Sequence, residues 1–544
     1  MSSCKKLSKQ ILLSNIVVSL LFSSTFALPS GGKFTHGTTG SININGNTMN
    51  INGNKVSSVI QWGGGFSIGK GESVNFNGNN KNYLNIAHGT SKSTIDGLLN
   101  ANGNNVFLIN PNGVIITKNG TINANRFVAS TSSMDNAAMQ RFANMSNFDQ
   151  GLTFSPVFKP NKLGNVVNMG NINANKVLLI GNKVDIQGGN INGKHNDNVS
   201  GNALKNPSSN MADKIHLVGN EVLINIGKTN LKANSNSISA INKAFVYISA
   251  SDYYNNTNLY NKYNFTKENY QSSINNAKDI ERFVGIGSDI DWWHFAKGWN
   301  ENKAGFRDTA SEYRLTNDID FKGNKGQGVE GKDWQNYANY CIDGLGCTSM
   351  IVGLIYYFSG DYKDAFNKTF DGQGYTLKNI NIDTTSLDNK PYGVGIFGSI
   401  SGATIKNINV DYMGGGIKSD TSDASIGGFV GLSDGYTHKV TFSNISLNNI
   451  GSIVGTSIRG NSNVVAGGFV GWSFDGSIFS NISLNNIGSI SSGSHAGGFA
   501  GIAVGTFSNI SLNNIGDISN SNSVSGGASS RSYAGGFAGG ARGT

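Results

Sequence analysis

The sequence is poor in cysteine, proline and charge. Three cysteines in 544 residues are too few for a crosslinked framework. Six prolines beside 73 glycines leave tight turns to Gly and Asn, the residues that tolerate positive φ. Charged residues make up 14%, where about a quarter is typical, so Asn, Ser and Gly fill the surface that Lys and Glu usually occupy. That composition suits stacked strands joined by turns and does not suit helices. Beyond the first 27 residues no stretch reaches the roughly 18 apolar residues of a membrane-spanning helix. There is no H-E-x-x-H, no G-x-S-x-G and no clustering of the seven histidines, and His88 and His294 stand alone. The net charge is +9, but Lys and Arg are scattered and no nucleic-acid signature is present, so nucleic acid is not an expected partner.

Hydrophobic residues form 38% of the chain, enough for a core, and 544 residues exceed one compact domain. Lys5, Lys6 and Lys9 precede an apolar run from Ile11 to Phe22, followed by Thr25-Phe26-Ala27. This three-part pattern predicts an export signal cleaved after Ala27. Cys4 leaves with it. Cys341 and Cys347 remain, around Asp343-Gly344-Leu345-Gly346, and an exported protein favours a disulfide there over a metal site.

After the signal the chain alternates polar and apolar residues in short runs broken by Asn-Gly. Ser41-Ile42-Asn43-Ile44-Asn45-Gly46 is one such run. Gly120-Thr-Ile-Asn-Ala-Asn-Arg-Phe-Val nearly repeats at Gly170-Asn-Ile-Asn-Ala-Asn-Lys-Val-Leu. Repeating strand–turn units predict a solenoid in which each coil buries its face on the next. Met134–Phe148 is less regular and reads as a short helix or an excursion; a helix is also expected over Glu268–Val284. The last part is openly repetitive. Phe442-Ser-Asn-Ile-Ser-Leu-Asn-Asn-Ile-Gly451 recurs from Phe479 and Phe507, and Gly-Gly-Phe recurs with Phe429, Phe469, Phe499 and Phe537 at unequal intervals. Strands are therefore kept while loops vary, with Ile445, Leu447, Ile450 and their copies on the buried face. Gly543-Thr544 matches the lead-in of the preceding copy, Gly505-Thr506, so a longer array is expected.

Val106-Phe-Leu-Ile-Asn-Pro-Asn-Gly113 reads as a buried strand ending in a rigid turn, with Pro111 setting φ and Asn or Gly permitting the left-handed region. It lies among Val59-Ile60-Gln61-Trp62, Phe66-Ser-Ile-Gly69, Glu72-Ser-Val-Asn-Phe76, Leu98-Leu99-Asn-Ala-Asn-Gly103 and Phe127-Val-Ala-Ser-Thr131. These motifs, in this order, strongly resemble the two-partner secretion domain of the filamentous haemagglutinin family. Leu28-Pro29-Ser-Gly-Gly32 is similar to its mature start. The resemblance covers roughly residues 28 to 250 and departs from the family at Ile86, where relatives commonly carry Arg. It implies a right-handed parallel β-helix, a dedicated outer-membrane transporter with periplasmic POTRA domains, and a secretion motif at Asn110, Pro111, Asn112 and Gly113, acting as a folding element or as a transporter contact. A chain threaded unfolded through a pore also accounts for the scarcity of cysteine.

The expected architecture is thus an all-β, right-handed parallel β-helix (β-solenoid) with short insertions. It divides into a signal at 1–27, the secretion β-helix at 28–252, a connector at 253–310, a second solenoid segment at 311–412 and glycine-rich repeats at 413–544. Tyr313 to Phe321, Phe370 to Ile382 and Ala403 to Val410 resemble repeats of large bacterial surface adhesins. The expected function is a secreted surface adhesin contacting a host glycan or protein receptor, with a cytolysin or toxin-delivery stalk of the same family as the alternative. No catalytic residue, metal or cofactor is expected. Gly393-Val-Gly-Ile-Phe-Gly398 fits a dinucleotide fingerprint but lacks the helix that must follow it. Asp318, Asp320 and Asp371 read as turn formers, with calcium binding or a polysaccharide-cleaving site as the other option. Asn444, Asn481 and Asn509 sit in Asn-x-Ser sequons and read as a stacked ladder in preference to glycosylation sites. Trp292 to Trp299 either stacks on sugar or seals a joint between solenoid segments.

Overall fold

The computed structural model describes residues 28–101, 103–160, 164–193, 212–323, 335–356, 363–436, 438–456, 463–520 and 533–541. The expected signal, Cys4 and the terminal Gly543-Thr544 lie outside them. The described residues fall into two compact units: 28–248 with 259–282, and 249–258 with 283–541. Strands dominate both, the pairing is mostly parallel, and the chain is all-β.

In the first unit, the hairpin Gly40–Asn45/Thr48–Gly53 and the pairing of Gly32–Thr35 with Ser57–Trp62 are antiparallel. Later strand-to-strand pairing is parallel, apart from an isolated antiparallel bridge between Tyr270 and Ile274, and builds three main stacks. One runs from Thr48–Gly53 through Ser73–Asn77, Leu98–Asn100 and Thr121–Ser130 to Asn171–Ile186. The second runs from Ser57–Trp62 through Asn82–Ala87, Asn105–Ile109, Thr121–Ser130 and Asn171–Ile186 to Ala212–Asn225. The third joins Ser93–Ile95, Gly113–Ile116 and Asn165–Asn168. The near-repeat stacks on itself, with Ile122 over Ile172 and Phe127 over Val177.

Polar residues stack as well. Asn82 donates to Ser57 Oγ at 3.0 Å, Asn105 to Asn82 at 2.8 Å, Asn125 to Asn105 at 2.9 Å and Asn175 to Asn125 at 2.9 Å. An amide carries both donor and acceptor, so identical Asn residues on rungs about 4.8 Å apart satisfy one another where Lys or Glu would repel. This is the physical reason for the low charge and high Asn content.

The second stack is buried on both faces, which is why its strands read as continuous apolar runs. Its outer face is covered by a lateral excursion. Helices Asn136–Ala143 and Phe148–Thr153, capped by Asp135 and Asn147, form its first part. Phe107, Phe142 and Phe154 pack edge to face at 5.1 to 5.5 Å. Tyr270, Ile274 and Ala277 complete the cover. Ile86 belongs to this apolar cluster. The helix expected over Glu268–Val284 is absent: Gln271–Ser273 is a single 3-10 turn and Ile280–Ile286 is a strand. Its aromatic and branched residues have tertiary partners that outweigh local propensity.

In the second unit, Glu312–Leu315, Thr369–Asp371, Thr404–Asp411, Val440–Gly455, Ser477–Ser492 and Thr506–Ile515 stack in parallel. Two phenyl ladders fill the repeats. Phe429, Phe469, Phe499 and Phe537 stack at 5.1 to 5.2 Å, and Phe442, Phe479 and Phe507 at 4.9 to 5.0 Å. The ladders meet edge to face, as Phe442 does Phe469 at 5.5 Å. Glycine precedes Phe429, Phe469 and Phe499 because a Cβ on Gly428, Gly468 or Gly498 would lie 2.0 to 2.1 Å from a carbonyl of the next rung.

Asn407, Asn444, Asn481 and Asn509 all have φ between 52° and 57° and form a ladder, each donating to the one before. The sequon asparagines are thus strand kinks held by their neighbours. Asp371 accepts from Asn407 and from the Gln373 amide, and Asp320 from Asn379 and the Lys322 amide, so both carboxylates act in turns. Asp318 accepts from the Thr376 amide. Among the described residues no group of three His, Cys, Asp or Glu could hold a metal ion. Gly393–Val394 and Phe397–Ser401 are strands of two parallel stacks.

Helix Asp289–Glu301 buries Trp292 and Trp299 completely. Trp292 Nε1 donates to the Met350 carbonyl and Trp299 Nε1 to that of Asp364. The sugar-stacking alternative fails, because neither ring presents a face to solvent. Cys341 and Cys347 are disulfide-bonded across the hairpin Tyr340–Ile342/Gly346–Thr348. No helix is long and apolar enough to cross a membrane among the described residues.

Because each rung contacts only its neighbours, damage should stay local. Phe479→Ala removes a ring with no exposed surface and is expected to cost about 3–5 kcal/mol. Hydrogen exchange should show amides at 442–450 and 507–515 opening while those at 121–130 keep their protection. Uniform loss across the chain would contradict the stacked architecture.

Candidate functional site

The turn at Asn110–Gly113 joins Asn105–Ile109 to Gly113–Ile116. The Gly113 amide donates to the Asn110 carbonyl at 3.0 Å, closing the turn. Asn110 is 1% exposed and uses its whole amide. Its Nδ2 donates to the Ser91 carbonyl at 3.1 Å and to Ser93 Oγ at 3.0 Å, and its Oδ1 accepts from the Asn112 amide at 3.0 Å. Asn112 reaches back to the Gly89 carbonyl at 2.8 Å. The Asn110 amide donates to Ser130 of the next rung, and the Pro111 carbonyl accepts from Gly164.

Only Gly113 has positive φ, at 131°, and a Cβ there would meet the Asn165 carbonyl at 3.0 Å. The expectation that the asparagines serve by entering the left-handed region is corrected: they hold the turn through side-chain hydrogen bonds. The turn is a rivet between three rungs, with the side chain of Asn110 buried and those of Pro111 and Asn112 toward the surface. Cys341 and Cys347 belong to the other unit and take no part in it.

Residues 26–281 match the family model of the TPS secretion domain. This part of the chain is a TPS secretion domain. Such a domain marks an exoprotein of two-partner secretion, exported through a cognate outer-membrane transporter. The solved crystal structure of the HMW1 secretion domain from Haemophilus influenzae aligns over 89% of this chain and 99% of its own length. Its identity is 15% and the TM-score 0.25, a likeness that carries no statement about this chain. No curated protein matches the chain.

The secretion domain also carries a charged site on its lateral cover that motif reading missed. Glu268 accepts from Lys214 at 2.8 Å and from Ser237 at 2.7 Å. Burial works against its charge, but these hydrogen bonds outweigh it and hold its pKa below the usual carboxylate range. His216, between Ser239 Oγ at 2.8 Å and the Tyr270 ring at 5.3 Å, is lowered to about 4 by burial and secondarily by Lys214. Burial raises Tyr270 to about 12. A signal for this site existed in the near-repeat, which places Arg126 and Lys176 at equivalent positions.

Two outcomes follow. Asn110→Ala strands the Ser93 hydroxyl and the Asn112 amide and should lower the stability of the secretion domain by about 1–3 kcal/mol in denaturant unfolding. The unfolded chain takes up the His216 proton near pH 6.5 and the folded chain only near pH 4. Protons therefore favour the unfolded state in that window, and stability falls as pH is lowered through it, by at most about 3 kcal/mol. Melting of the wild type and His216→Gln at pH 7 and pH 4.5 checks this: the variant should lose less on acidification.

Proposed function

We propose that this chain is a surface adhesin, carried to the periplasm by residues 1–27 and released at the cell surface by an outer-membrane transporter. Periplasmic POTRA domains of that transporter recognise the secretion domain. The reading rests on the family match at 26–281, and one structural observation supports its mechanism. From Ser57–Trp62 to Ala212–Asn225 each strand of the second stack pairs in register with the next.

No energy source lies beyond the outer membrane. A solenoid supplies one by folding, since each completed rung presents an open parallel edge that templates the next. Emerging chain is captured rung by rung and cannot slide back. The Asn110–Gly113 turn fits this role, because it locks its rung to the one before and the one after. The only crosslink among the described residues closes a hairpin of sequence separation 6, small enough to pass in a threaded chain.

Beyond the secretion domain, the repeats act as a rod that displays loops for weak, multivalent contact with a host glycan or protein. The rod has no catalytic role and needs no cofactor. Its resemblance to adhesin repeats supports adhesion over a cytolysin or toxin stalk.

The test is export of the full chain from cells with and without the partner transporter. Release should require the transporter, and Asn110→Ala and Asn112→Ala should each reduce it several-fold. Equal release of both variants and the wild type would remove the turn's role. Cells displaying the full chain should attach to host cells, and deletion of the repeats from residue 413 should abolish attachment.

A further inference from the structure

On the lateral cover of the secretion domain lies a cleft of about 350 Å³. Parallel register places Arg126, Lys176 and Lys214 side by side on three successive rungs, and all three line it. Rungs are about 4.8 Å apart, so three like charges stand in one column, an arrangement that destabilises a sheet unless something neutralises it.

The column is only partly neutralised. Lys214 has Glu268 at 2.8 Å. Lys176 is half-buried and makes no ion pair or side-chain hydrogen bond among the described residues. Arg126 is 6% exposed. Its Nη2 donates to two neutral oxygens, the Phe154 carbonyl at 2.9 Å and Ser155 Oγ at 3.1 Å. Its Nε is buried with no acceptor among the described residues. Asp213, exposed, is the one carboxylate lining the cleft. His216 lines it too and is neutral above pH 4, adding no charge.

A buried guanidinium that holds only neutral acceptors lacks the partner its geometry suits. A carboxylate matches the planar fork of Arg, and an adjacent ammonium strengthens the pair. Burial lowers the Arg126 pKa to about 10, in keeping with a cation that has no carboxylate beside it.

We propose that this cleft receives a carboxylate from an acidic peptide segment of the outer-membrane transporter. The cleft then adds a charge-dependent contact to the secretion domain, and no residue of the Asn110–Gly113 turn lines it. The inference rests on the export reading, because that reading supplies the protein partner.

The experiment has two arms. In the first, the full chain is titrated calorimetrically with the peptide Ac-Glu-Glu-Glu-NH2, with Ac-Gln-Gln-Gln-NH2 and with glucuronate. The acidic peptide should bind saturably and more weakly as salt rises. Lys176→Gln should weaken binding about tenfold, and Lys176→Arg should retain it. Lys176 is the residue to change because it holds no other group in place; Arg126→Gln is the stronger variant wherever circular dichroism shows it folded. Equal binding of the two peptides, no binding, an unaffected Lys176→Gln, or a preference for glucuronate over the acidic peptide overturns the inference. In the second arm, release through the transporter is compared for the wild type, Lys176→Glu and Lys176→Arg. Charge reversal should cut release several-fold while the Arg variant matches the wild type. Release of Lys176→Glu at the wild-type rate overturns this inference and leaves the export reading standing. A wild-type chain that is not released with the transporter present removes both.

Discussion

Parallel, in-register pairing between successive rungs governs everything else in this protein. It sets identical positions of successive coils about 4.8 Å apart, so a side chain is chosen by how well it stacks on its own kind. Asn succeeds because its amide is donor and acceptor at once, and Phe because its rings stack on one another at 4.9 to 5.2 Å. Lys and Arg fail, since like charges repel along the column. The unusual composition follows from this one constraint, and so does the significance of the place where three cations are stacked regardless.

The same pairing decides where local rules are overridden. The asparagines of the repeats sit in a left-handed conformation within strands, which costs energy for any residue except Gly and least for Asn. The ladder of side-chain hydrogen bonds and the neighbouring rungs hold them there. At Asn110–Gly113 the logic differs: one glycine takes the positive φ, and the asparagine side chains bind the preceding rung and the turn itself. The buried side chain of Asn110 ties the turn to the preceding rung while its backbone N–H binds the next, so the turn's shape and the stacking of three rungs form one cooperative object.

Much of this was legible in sequence because solenoid contacts are periodic. The alternation, the Asn-Gly breaks and the near-repeat at Gly120 and Gly170 identified strands, coils and their partners. The ordered motifs from Val59 to Thr131 identified the secretion domain. The lateral cover was harder. Phe142, Phe154 and Tyr270 meet Phe107 and His216 across long separations with no period, and the stretch from Glu268 to Val284 read as a helix for lack of any repeat to align it. The tryptophans of Asp289–Glu301 were recognised as a cluster, but only packing showed both faces of Trp292 and Trp299 to be covered.

By itself the sequence determined the class of the fold, the rung register and the turn that closes the Asn110 coil, because these depend on neighbours one repeat away. Only the tertiary structure decided which outer faces are covered, which amides are buried and where one guanidinium nitrogen lacks an acceptor. Those depend on excursions that leave the coil and return at a place no periodicity encodes.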